Sequence, residues 1–149
     1  LISSGKIRQS NEGCACTMNS ILKQFIKHLT VGENEVVLLD MEAGVEHFGR
    51  GVDNSVDLIL MIVDPSFESL KLTKKIQQLG ESIGKPVFFV LNKVNELVLP
   101  TMLESIDDQS KVLAVISTDT EIARKGLVGD ELMMEIPEIH MLARKILKQ

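Results

Sequence analysis

The sequence predicts an α/β fold in three layers, a mostly parallel sheet flanked by helices, and three observations carry that expectation. Short uninterrupted apolar runs recur at 36–39, 58–63, 87–91 and 112–116, the pattern of strands buried on both faces. Segments of helical period separate most of them, which is the spacing of parallel strands joined by crossover helices. The chain has no Trp, no Tyr and only five Phe, so its core has to be built from Ile, Leu, Val and Met. Aliphatic α/β packing suits that supply better than an all-β fold.

Taken in order, Met18, Ile21, Leu22, Phe25, Ile26 and Leu29 recur at three- and four-residue spacing behind Thr17. They predict an amphipathic helix over 17–29 with Thr17 as N-cap. The run Val36-Val-Leu-Leu-Asp40 follows a polar break and predicts the first strand. Leu72, Ile76, Leu79 and Ile83 form a helix stripe closed by Gly84 and Pro86, a glycine–proline stop that suits a helix C-terminus. Val98, Leu99, Met102, Leu103 and Ile106 form another, with Pro100 in its first turn. Asp119 is a candidate cap for a short helix ended by Gly126. Ile136, Ile139, Leu142, Ala143 and Ile146 give a terminal helix restarted or kinked at Pro137.

With 149 residues, 44% hydrophobic and 25% charged, the chain holds enough apolar material for one core, and residues 1–149 are expected to form a single domain. No apolar run approaches the roughly 18 residues that cross a bilayer, and the start lacks a signal-peptide layout. A cytoplasmic location without a membrane partner follows as the expectation. The net charge of −5 and the scarcity of aromatic platforms exclude a general nucleic-acid surface, because such binding rests on Lys and Arg neutralising phosphates.

Two constellations stand out. Asp40 closes the first apolar run and is followed by Met41-Glu42-Ala43-Gly44. An acid at the carboxyl end of a strand either reaches a nucleotide's Mg²⁺ or satisfies local loop N–H groups, and a following Gly lets backbone approach a phosphate. Cys14-Ala15-Cys16 is the second constellation. Thiols one residue apart are poorly placed to pair with each other, so they act as metal ligands or as small buried apolar residues. A closed thiolate site wants four ligands. The missing two come from His, from carboxylates, or from the same pair on a two-fold-related chain, which makes an S₄ site suited to Zn²⁺ and able to take Ni²⁺. Glu46, His47 and Arg50 read, by themselves, as a polar surface loop. Asn92 reads as either a strand-end turn residue or a base-reading amide.

The phosphate-cradling pattern G-x-x-x-x-G-K-[ST] does not occur: Gly5-Lys6 precedes Ile7 and Gly84-Lys85 precedes Pro86. The chain by itself is therefore not expected to hydrolyse ATP.

The segment D-M-E-A-G-V-E-H-F-G-R-G from Asp40, then L-I-L-M-I-V-D-P-S-F-E-S-L, Asn92-Lys93 and Ile116-Ser-Thr-Asp119, resembles the MinD/ParA class of deviant-Walker P-loop ATPases. Within that class the chain is most similar to the accessory ATPases that insert nickel into carbon monoxide dehydrogenase. The resemblance implies a P-loop NTPase-like domain present only as its carboxyl-terminal half, with the P-loop half absent. It implies ATP with Mg²⁺ organised by catalytic Asp40, the γ-phosphate sensed at Gly44, and Glu42, Glu46, His47 and Arg50 in a moving switch. It implies that Asn92 reads adenine while Ser117 and Asp119 form a wall of the base pocket. Relatives there usually read Ile-Pro-x-Asp, so Ser117 stands in place of the proline. It further implies a homodimer holding Zn²⁺ or Ni²⁺ between paired Cys14 and Cys16, with carbon monoxide dehydrogenase or a related nickel enzyme as the partner. Two other functions fit the sequence: a MinD/ParA-like spatial regulator whose basic terminal helix touches membranes, and a non-enzymatic metal-binding dimerisation module.

Overall fold

A computed structural model describes residues 24–33, 35–41 and 55–147. The chain divides into two compact units, Leu1–Asp57 and Leu58–Gln149.

In the second unit the sheet has three strands, β1 (Ile59–Val63), β2 (Val87–Val94) and β3 (Val112–Ser117), in that spatial order. Both pairings are parallel, with Ile59 opposite Val87 and Phe89 opposite Val112. The alternation of side chains along β2 explains the layers. On one face, Val87 meets helix α1 (Phe67–Ser82) at Gly80, where an added Cβ would lie 2.2 Å from the Val87 Cγ2 atom. Only a glycine lets the helix come that close. On the other face, Val90 packs with Leu113 and with Leu142 of the terminal helix, among Leu60, Phe88 and Ile146. The three-layer expectation for this part of the chain is therefore met by a parallel sheet with helices on both sides.

Local chemistry sets the helix bounds. Ser66 caps α1 by accepting from the Ser69 N–H at 3.2 Å, and Gly84, at φ 67°, takes the left-handed turn after it. α2 (Leu99–Glu104) carries its proline in the first turn, and Asn95 Oδ1 accepts from the N–H groups of Leu97 and Val98 just before it. A short 3₁₀ turn at Gln109–Lys111 leads into β3. Asp108 caps that turn, and the Ser110 hydroxyl, then the Ser110 N–H, hold its carboxyl below the ordinary carboxylate value. α3 (Thr120–Val128) ends at Gly129, φ 73°, with Asp130 N–H on the Lys125 carbonyl. The expected stop at Gly126 is thus corrected: Gly126 lies inside the helix, and the left-handed residue comes three positions later. α4 (Pro137–Ile146) starts at its proline without a kink. Leu142 faces inward and the Lys145 ammonium donates to the Leu113 carbonyl, so this helix lies on the sheet.

The core of this unit is Val63, Phe89, Val90, Leu91 and Met102, all essentially inaccessible, with Thr73 the buried polar group beside them. The Thr73 hydroxyl lies 2.7 Å from the Leu70 carbonyl and 2.9 Å from the Ser105 carbonyl, so α1 is tied to the end of α2. An aliphatic core was expected; the largest fully buried side chain is nevertheless Phe89.

In the first unit, residues 24–27 are helical and the chain leaves the helix at His28, whose Nδ1 is 2.7 Å from the Gln24 carbonyl. Thr17, the expected N-cap, lies outside the described residues. The strand expected at 36–39 is corrected. Residues 35–41 have no strand pairing among the described residues, and Leu38 is 84% exposed. A strand apolar on both faces needs neighbours on both sides, and without a ladder its side chains stay in water.

Candidate functional site

Because β1, β2 and β3 run parallel, their carboxyl ends lie along one edge of the sheet, where open α/β folds bind ligands. β1 ends in Asp64-Pro65-Ser66, β2 in Asn92-Lys93-Val94, and β3 in Ser117-Thr118-Asp119. Thr118 N–H continues the β2–β3 ladder onto the Val94 carbonyl at 2.8 Å, which ties the last two ends together.

The end of β2 is irregular. Between the Leu91–Val115 and Val94–Ser117 pairs the register slips, leaving an extra residue on β2, and Lys93 has φ 55°. A non-glycine residue in the left-handed region is uncommon, and bulges of this kind re-aim side chains. Both residues at this bulge reach the end of β1. Asn92 Nδ2 donates to Asp64 Oδ1 at 2.9 Å, and the Lys93 ammonium contacts Asp64 Oδ2 at 2.6 Å. Asp64 is itself held by its turn: its N–H donates to Ser69 Oγ at 3.1 Å, and its carbonyl accepts from Ser66 N–H. The Asp64–Lys93 pair is largely exposed, with side chains 39% and 64% accessible. Such a pair adds only about 0–1 kcal/mol to stability; it orients more than it stabilises.

Of the residues the sequence singled out, the structure brings Asn92, Ser117 and Asp119 to this edge. Asn92 is half-buried and Ser117 is exposed. Asp119 caps α3, accepting from the N–H groups of Glu121 at 2.7 Å and Ile122 at 3.0 Å. That capping is the simpler of the roles the sequence offered it. Asp40 is exposed and lies in the first unit. Cys14, Cys16, Glu42, Gly44, Glu46, His47 and Arg50 lie outside the described residues. Among the described residues no group of three or more His, Cys, Asp or Glu gathers as a metal site, and no helix is long and apolar enough to cross a membrane.

Sequence reasoning missed Asp64. The signal was present, since Asp64 closes an apolar run just as Asp40 does; the stretch that holds it served only to carry the family resemblance.

No known family model matches the chain. The uncharacterized ATP-binding protein MJ0084 of Methanocaldococcus jannaschii is 47% identical to it over 139 residues, which cover 93% of this chain and 55% of that protein. The uncharacterized ATP-binding protein MJ0823 of the same organism is 32% identical over 138 residues, 91% of this chain and 54% of that protein. The carbon monoxide dehydrogenase accessory protein CooC of Rhodospirillum rubrum is 32% identical over 130 residues, 87% of this chain and 49% of that protein. The chain is similar to ATP-binding proteins. It spans about half the length of the curated relatives it matches.

Proposed function

We propose that the chain is the base-reading, switch and metal-holding part of an ATP-dependent accessory protein that delivers nickel to carbon monoxide dehydrogenase or a related nickel enzyme. The observation that carries this reading is the 32% identity to CooC along 87% of the chain. The parallel strand ends, with Asn92, Ser117 and Asp119 along them, supply a compatible edge for a nucleotide. Residues 1–149 act as part of one ATPase domain. Asp40 organises the Mg²⁺ waters, Gly44 meets the γ-phosphate, and the segment from Glu42 through Glu46 and His47 to Arg50 changes order when that phosphate leaves. Asn92 reads adenine, with Ser117 and Asp119 beside the base. Cys14 and Cys16, with the same pair from a second protomer, hold Zn²⁺ or the Ni²⁺ cargo in four-thiolate coordination, and hydrolysis resets the dimer.

Equilibrium dialysis of the protein against Ni²⁺ and Zn²⁺, with and without ATP and Mg²⁺, tests this. The expected result is one ion per two chains, a retention that changes with ATP, and loss of the ion in the Cys14→Ser, Cys16→Ser double variant. An unchanged metal content in that variant would sink the shared thiolate site, and indifference to ATP would sink the coupling.

A further inference from the structure

We infer that Asp64 is a positioning residue, one that turns the Asn92 amide so that it accepts from and donates to adenine and not guanine. This rests on the reading of Asn92 as the base contact. An ionised carboxylate has only acceptors, so the group that Asn92 presents to Asp64 Oδ1 at 2.9 Å has to be its amide nitrogen. One Nδ2 hydrogen is thereby committed. Among the described residues, Asp64 is the side chain to which the Asn92 amide is bonded, which leaves Oδ1 and the second Nδ2 hydrogen for a ligand. That pair of groups matches the N6 donor and N7 acceptor of adenine, whereas guanine offers acceptors at both places.

Lys93 makes the lock necessary. Its ammonium adjoins Asn92 in the chain, at the same bulge, and is 2.6 Å from Asp64 Oδ2. Asp64 therefore holds both neighbours at once, the amide by one oxygen and the ammonium by the other. Without the carboxylate the ammonium, a pure donor, loses that acceptor and is left to compete for the Oδ1 of Asn92, its neighbour in the chain. An amide turned toward Lys93 presents the wrong groups to adenine. The left-handed backbone at Lys93 and the Ser69 and Ser66 bonds at Asp64 fix the two sides of this arrangement before any ligand arrives.

The test is a titration of the whole protein with ATP and with GTP, reading the ratio of the two dissociation constants, alongside melting curves that verify folding. The wild type is expected to favour ATP by about tenfold or more, the size of one good amide–base pair. Asn92→Ala should abolish that preference, and Asp64→Ala should reduce it to about threefold or less. The double variant Asp64→Ala, Lys93→Met removes the competing ammonium and should recover most of the preference. If Asp64→Ala discriminates as the wild type does, or if the double variant is no better than Asp64→Ala, the positioning role is overturned while the base contact stands. If the wild type shows no preference, or Asn92→Ala keeps it, the base contact falls and takes this inference with it.

Discussion

Val36–Leu39 and Val87–Leu91 are both short uninterrupted apolar runs, yet they end in opposite environments. The second lies in β2 with a parallel neighbour on each side, and Phe89, Val90 and Leu91 are sealed from water. The first has no ladder among the described residues and leaves Val36, Val37 and Leu38 exposed. A parallel strand is thus a property of the sheet around it as well as of its own residues: apolar content makes a segment eligible, and neighbours on both sides make it a strand.

Substitutions in the two regions can sharpen or break that contrast. The largest effect is expected at Phe89→Ala, which empties the centre of the core and should cost about 3–5 kcal/mol in urea unfolding. A loss below about 1 kcal/mol would mean that β2 is far looser than its burial implies. Gly80→Ala comes next. The new methyl collides with Val87 and, at 3.0 Å, crowds the Lys85 carbonyl. Overpacking of about 1–3 kcal/mol outweighs the roughly 1 kcal/mol that alanine gains over glycine in a helix. The variant should therefore melt lower than the wild type, and a higher melting temperature would show that α1 is free to move off β2. The smallest effect belongs to Leu38→Ser, which should change stability by no more than about 0.5 kcal/mol. Should it cost as much as a core substitution, residues 36–39 are packed in solution and the comparison between the two runs collapses.

Much of the second unit was legible because its signals are local. The strands at 59–63, 87–94 and 112–117 follow from apolar runs; Gly84, Pro100 and Pro137 punctuate the helices where φ or a missing N–H requires it. Gly126 misled because an interior glycine costs a helix only about 1 kcal/mol, while the Asp119 cap and the left-handed Gly129 set the two ends of α3. The candidate site was half legible. Asn92 was singled out from its place at the end of an apolar run, and the structure puts it at the carboxyl edge of the sheet. Its partnership with Asp64 was not, because the two are joined by the β1–β2 register and by a bulge at Lys93 that no spacing rule announces.

The parallel register also governs how the chain comes to be folded. Ile59 waits for Val87, and Phe89 for Val112, so neither ladder can close before the intervening segment has been made. No hairpin offers an early, short-range start to this sheet, and sheets of distant pairings fold slowly. On a ribosome β1 emerges before β2, its described partner in the sheet, and that pairing has to await α1 and β2. The order of synthesis, as much as the final packing, therefore decides how long this sheet's interior is open to the wrong partner.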